Sequence, residues 1–174
     1  MSAPESKKQL TSDRPEMPAD YGIKRGKTGQ LPWNWVSERM EKSHNYWVCS
    51  TRPDGRPHAM PVWGVWLGDT LYFGTNRDSV KGRNLSADPR VAVHLESGDE
   101  AVMIESVVEE THDMETLTRI AAAFSQKYPG YNPDPDFGPE VAMYAVRPRR
   151  VMAWLENDFV RSATRWRFEE EKDR

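Results

Sequence analysis

The sequence carries one cysteine, Cys49, in 174 residues. No intrachain disulfide and no cysteine-built zinc cluster can form from it. Cys49 sits in the apolar run Trp47-Val48-Cys49, which reads as a buried small hydrophobe rather than a catalytic thiol. Long apolar runs are also missing. No window approaches the roughly 18 to 20 consecutive apolar residues that span a bilayer, and residues 1–19 are polar with no signal-peptide core. A soluble, cytoplasmic protein is expected, with no membrane partner. An excess of positive charge is absent too: 24 Lys and Arg face 27 Asp and Glu, and the basic residues are scattered. Nucleic-acid binding needs a concentrated basic face, so it is not expected.

Two catalytic signatures are missing as well. The four histidines, His44, His58, His94 and His112, show no His-Glu-x-x-His spacing, so no metal site is expected. No Gly-x-Ser-x-Gly elbow supplies an acyl-transfer nucleophile. Glu105, Glu109 and Glu110 read as the solvent face of a strand rather than an acid pair, and no catalytic residue is assigned.

What is present is organised. Residues 1–30 are rich in Ser, Lys, Pro, Asp and Gly and read as a flexible N-terminal arm, or one that packs on something else; residues 31–174 form the domain. Leu31-Pro32-Trp33-Asn34-Trp35-Val36 opens a helix with Pro32 in its first turn; Trp33, Val36 and Met40 share a face, and the helix ends near Ser43. Strands follow at 46–51, 57–67 and 70–75, joined by tight turns at Asp54-Gly55 and Gly68-Asp69 into a meander. A short polar helix spans 77–85, and a hairpin covers 91–96 and 101–110. Asp113 caps a helix whose apolar stripe is Met114, Leu117, Ala121, Phe124 and Tyr128, stopped by Pro129-Gly130. The stretch 129–139 holds four prolines and is long for a connector, as befits a cover over a binding site. Residues 141–147, 150–156 and 159–168 supply further strands. The expected fold is mainly β with one or two packed helices (α+β), a six- or seven-stranded antiparallel split β-barrel.

The segment Gly74-Thr75-Asn76-Arg77-Asp78-Ser79-Val80-Lys81-Gly82-Arg83-Asn84 runs from a strand into a short helix. Free N–H groups at the helix start, hydroxyls of Thr75 and Ser79, the Lys81 cation and a guanidinium from Arg77 or Arg83 compose a phosphate pocket. The ordinary alternative is a solvated loop with an N-cap serine. The neighbouring strand His58-Ala59-Met60-Pro61-Val62-Trp63-Gly64 is apolar and aromatic yet contains Pro61, which cannot donate to a ladder, so it lies at an edge or against a flat ligand ring.

These blocks together, Thr51-Arg52-Pro53-Asp54-Gly55-Arg56-Pro57-His58, Pro61-Val62-Trp63, Leu71-Tyr72-Phe73-Gly74-Thr75 and Ser79-Val80-Lys81-Gly82-Arg83-Asn84-Leu85, resemble the pyridoxamine 5'-phosphate oxidase-like split-barrel superfamily, over roughly residues 31–168. Within it the chain is most similar to the flavin/deazaflavin oxidoreductases of branch B. The resemblance implies a homodimer with cofactor at the subunit interface. It implies that Thr75, Ser79, Val80 and Lys81 meet the cofactor phosphate with Asn84 close by, and that His58, Met60, Pro61, Val62 and Trp63 lie beside the ring or ribityl chain. It also implies that Trp154, with Arg165 or Arg161, approaches from the partner subunit. The implied activity is hydride transfer from reduced coenzyme F-420, with FMN as the alternative, to a conjugated small-molecule acceptor. A non-catalytic flavin- or haem-binding storage protein is the second reading. The Arg-Leu-x-x-Arg run with which the oxidase grips pyridoxal phosphate is replaced by Phe159-Val160-Arg161-Ser162-Ala163-Thr164-Arg165-Trp166, so vitamin B6 oxidation is not expected.

Overall fold

The computed structural model describes residues 9–23 and 25–169. In chain order its elements are β1 (Gln9–Asp13), α1 (Trp33–Lys42), β2 (Tyr46–Thr51), β3 (Pro57–Val62), β4 (Val65–Leu67), β5 (Thr70–Asn76), α2 (Val80–Ala87) and β6 (Arg90–His94). They continue with β7 (Glu100–Glu110), α3 (Met114–Lys127), β8 (Val141–Val146), β9 (Arg150–Leu155), α4 (Phe159–Ser162) and β10 (Thr164–Glu169). Every pairing is antiparallel.

One path through the sheet runs β1-β10-β9-β7-β6-β2-β3, and a branch runs β7-β8-β5-β4. The long strand β7 belongs to both: Arg90 to His94 pair along its middle, while Val108, Glu109 and Glu110 pair with β8. The sheet curls around a core of Val48, Leu71, Phe73, Val93, Ile104 and Val146, all fully buried, without closing. It is an α+β fold of the split-barrel kind. Helix α1 covers one opening with Val36 and Met40. Helix α3, capped by Asp113 accepting from Thr116 N at 2.8 Å, buries Leu117, Ile120 and Phe124 against Val65 and Met143.

Several expectations need correcting. Ten strands are present among the described residues, because residues 9–13 pair with β10, the C-terminal stretch yields β10, and the expected strand 57–67 is broken. The break falls at Trp63-Gly64 and sends β3 and β4 into different parts of the sheet, so the meander is split. Side chains from α3 replace ladder partners there. Tyr128 Oη accepts from Gly64 N at 2.9 Å and donates to His44 O at 2.8 Å, while Lys127 Nζ donates to Gly64 O at 2.9 Å. A Cβ on Gly64 would stand 2.9 Å from Tyr72 O, so only glycine lets β4 turn this tightly onto β5. Pro32 precedes α1 as its N-cap instead of lying in its first turn. Met114 is exposed on α3 and Ile120 takes its expected place in the stripe. Cys49 is half-buried on the outer face of β2, where burial pushes its thiol pKa up. No described helix is long and apolar enough to cross a membrane.

Candidate functional site

The strand-to-helix corner forms as its residue types require. Ser79 caps α2, its Oγ accepting from Gly82 N at 2.9 Å and lying 3.1 Å from Thr75 Oγ1. Gly82 permits the approach of helix to strand end: a Cβ there would stand 2.4 Å from Asn76 O and 2.6 Å from Arg77 O. Val80 and Lys81 are the first helical residues, so their amides have no intrahelical carbonyl to meet.

Lys81 sits half-buried with Nζ 5.9 Å from the centre of the Phe73 ring, and no carboxylate pairs with it among the described residues. Burial pulls its pKa down. The two arginines of this segment are committed elsewhere. Arg77 makes a two-pronged pair with Glu110 and donates from Nε to Pro139 O at 3.0 Å; Arg83 bonds the carbonyl of Asp78. Lys81 is therefore the cation of the corner available to an anion.

A cleft of about 340 Å³ opens beside it, in the size range of small-molecule sites. Pro61, Val62 and Trp63 line one side, Thr75 and Lys81 another, and Phe124, Tyr131 and Phe137 a third. Pro61 lies on β3, which ends one path of the sheet, so its missing N–H breaks no ladder. Trp63 is 47% exposed and stacks on Tyr128, ring centres 4.5 Å apart and planes 8° apart. A larger groove of about 860 Å³ runs over the outer face of β2, β6 and β7 past Cys49. Four arginines line it, of which Arg90, Arg150 and Arg167 already face Asp88, Glu105 and Asp13. The smaller cleft, with a half-buried cation that no carboxylate pairs among the described residues, is the stronger ligand candidate.

Five of the expected residues thus share one cleft, Pro61, Val62, Trp63, Thr75 and Lys81, with Ser79 bonded at its rim. Val80 is half-buried at the start of α2. His58 stands on β3, its pKa lowered by burial and by the nearby charges of Arg52 and Lys81; its Nδ1 is buried with no hydrogen-bond partner. Met60 is exposed on the same strand and does not line the cleft. Asn84 is turned inward: it is 2% exposed and its Nδ2 donates to Ser50 Oγ at 3.1 Å, so it braces α2 against β2. Trp154 lies across from Ala101 on β9 with its ring edge-on to Phe159, away from this cleft. Arg165 is buried and held by Asp13 at 2.8 Å and Glu16 at 3.2 Å, which keep its guanidinium charged.

The sequence reading missed Phe124, Tyr131, Phe137 and Met143 as cleft residues. The proline-rich stretch was the only signal that pointed toward two of them. Among the described residues no group of three or more His, Cys, Asp or Glu is gathered to hold a metal ion.

An open antiparallel barrel with this strand order is a split barrel. The pyridoxamine 5'-phosphate oxidase family profile matches residues 36–155, and the chain belongs to that family. Among solved structures it is similar to a conserved hypothetical protein of Mycobacterium tuberculosis, with 25% identity, TM-score 0.65, and 75% of this chain and 88% of that one covered. It is also similar in fold to an F-420 reductase, with 23% identity, TM-score 0.54, and 66% and 94% covered. The haem storage protein HutZ of Vibrio cholerae shares the fold at 13% identity and TM-score 0.56, with 65% and 87% covered. No curated protein matches the chain significantly.

Proposed function

We propose that the cleft binds a ribityl-phosphate cofactor, coenzyme F-420 with FMN as the alternative, and that the protein is an oxidoreductase acting on a conjugated small-molecule acceptor. The observation that carries this is Lys81, a half-buried ammonium with no carboxylate beside it at the start of a helix. An unpaired cation taken from water is costly, and a phosphate is the ligand that offsets it. The residues present fit such a group. Lys81 supplies charge, Thr75 and Ser79 supply hydroxyls, and the amides of Val80 and Lys81 point out of the helix start.

Such a cofactor, if bound here in its reduced form, would supply hydride chemistry for the two-electron reduction of a conjugated acceptor, with the accompanying proton coming from solvent. The chain's part is to bind and orient. Pro61 and Trp63 offer a flat, apolar edge for a ring. Burial, with the nearby charges of Arg52 and Lys81, lowers the His58 pKa and so favours its neutral form, which leaves the cation's part to Lys81. The fold likeness to an F-420 reductase supports the deazaflavin.

The protein's tryptophans, seven in number, make the test direct: titrate coenzyme F-420 and FMN separately and follow fluorescence quenching. Binding of FMN alone removes the deazaflavin reading, and binding of neither removes both. We further propose a homodimer with the cofactor at its interface, reached by the partner copy's Trp154 and an arginine. Because Arg165 is engaged by Asp13 and Glu16, Arg161, whose side chain is 60% exposed, is the better candidate. Sedimentation of the full chain at a monomer mass counts against this arrangement.

A second reading, haem storage without turnover, is favoured by the buried, orphaned Nδ1 of His58 and the fold likeness to HutZ. It requires a Soret band on adding hemin that His58→Ala abolishes.

A further inference from the structure

Two lysines among the described residues are half-buried, Lys81 in the cleft and Lys127 outside it. Lys127 is the last residue of α3. Its Nζ donates to Tyr46 Oη at 2.7 Å and to Gly64 O at 2.9 Å, and it lies 4.7 Å from the centre of the Tyr46 ring. Both partners can only accept from it: Gly64 O is a carbonyl, and the Tyr46 hydroxyl gives its own proton to Met40 O. An ammonium, all donors and no lone pair, suits that place better than a neutral amine.

Gly64 is where the chain changes partners. Val62 ends β3 opposite Tyr46, and Val65 opens β4 opposite Tyr72, so the backbone groups of Gly64 fall between two ladders. Its N–H goes to Tyr128 Oη at 2.9 Å. Its carbonyl lies 2.9 Å from Lys127 Nζ and from Tyr128 Oη, whose single proton also serves His44 O, so Lys127 is the charged donor at the break. One residue back stands Trp63, whose ring lies on Tyr128 and forms a side of the cleft.

We infer that Lys127 is a positioning residue: through the carbonyl of Gly64 its ammonium fixes the break that holds Trp63 at the cleft wall, and loss of that charge loosens Trp63. The inference goes beyond the cofactor reading, because it holds for any flat ligand and for the empty cleft. A charge-assisted hydrogen bond is about twice as strong as a neutral one, so the grip depends on the proton. Burial holds Lys127 at about 8, just above neutrality. The other titratable groups at the break are Tyr46 on β2, Tyr128 beside Lys127, Glu41 near the end of α1, which acts on Tyr46, and His44, whose ring meets Trp63 and Tyr128 edge-on. Strand β4 brings none. Burial raises both tyrosines above their ordinary range, so neither competes near pH 8.

The test is a titration of the ligand-free full chain from about pH 6.5 to 9.5, read by tryptophan emission. Wild type should show a transition centred near pH 8 that is missing from Trp63→Phe and kept in His44→Gln. Lys127→Arg, charged throughout, should keep the low-pH spectrum, and Lys127→Met should show the high-pH spectrum at every pH. No transition in wild type overturns the inference whatever the variants do. So does a transition that survives Lys127→Met or Trp63→Phe, or one that His44→Gln abolishes. A binding arm uses riboflavin, a flat ring without a phosphate for Lys81 to meet. Its dissociation constant should rise about three- to tenfold between pH 7 and 9 in wild type, the difference between a charged and a neutral hydrogen bond, and stay level in Lys127→Met. An equal rise in Lys127→Met overturns the inference. If riboflavin, FMN and coenzyme F-420 all fail to bind, the cofactor reading falls and the emission titration still decides Lys127.

Discussion

Replacing Lys81 by methionine separates a ligand-binding lysine from a structural one. Methionine keeps an apolar stem against Phe73 and removes the ammonium, which has no carboxylate partner among the described residues. The ligand side loses a charge-assisted hydrogen bond, about 1.5 to 3 kcal/mol, or about 12- to 160-fold in dissociation constant. The protein side loses a desolvation penalty, the same one that pulls the Lys81 pKa down, so the melting temperature of the ligand-free protein should hold or rise. Riboflavin provides the internal control: it shares the ring of FMN and lacks the phosphate, so its affinity should change by less than about twofold. Calorimetric titration of each ligand, beside thermal melts, reads all of this. Only the protonated lysine attracts phosphate, so wild-type affinity should fall as pH rises through the depressed lysine pKa, a fall the methionine variant lacks. Equal losses for FMN and riboflavin, or an unchanged FMN affinity, would refute a phosphate at this corner. A drop in melting temperature would instead make Lys81 part of the scaffold.

Gly82→Ala puts a methyl group 2.4 Å from Asn76 O, so α2 must move off the end of β5; a loss of about 1 to 3 kcal/mol in urea melts is expected, and a wild-type midpoint would mean the approach is looser than described. Asn84→Ala leaves Ser50 without its interior partner and should cost about 1 to 3 kcal/mol in the same melts while ligand affinity changes little. Between pH 8 and the pKa of an unfolded lysine, native stability should climb, because burial holds Lys127 at about 8 and the unfolded chain binds the extra proton in that window. Above about pH 10 it should turn down, since buried Tyr46, its pKa raised by burial, keeps a proton that the unfolded chain releases. Denaturant titrations from pH 7 to 11 check both signs, and Lys127→Met should flatten the climb.

Much of the fold is legible along the chain because local chemistry decides it. Ser79 and Asp113 cap helices through their own side chains, and Gly68-Asp69 turns the chain between β4 and β5. Pro61 cannot sit in a central strand, and β3 is accordingly an edge of the sheet. The strand-to-helix corner is legible for the same reason, since its hydroxyls, amides and lysine lie within a few residues of one another.

The sequence by itself determined where most strands and helices form, and that one corner could meet an anion. Only the tertiary structure decided which residues are spent and which are left over. Arg77 looks like a phosphate ligand until Glu110, 33 residues away, takes its guanidinium. Asn84 and Arg165 look equally available until Ser50 and Asp13 engage them. The aromatic wall of the cleft joins Trp63 to Tyr131 and Phe137 across a fold that only α3 and the sheet bring together. Periodicity reports the face a residue shows, but not the distant partner waiting there, and it is the partner that fixes whether a side chain is scaffold or site.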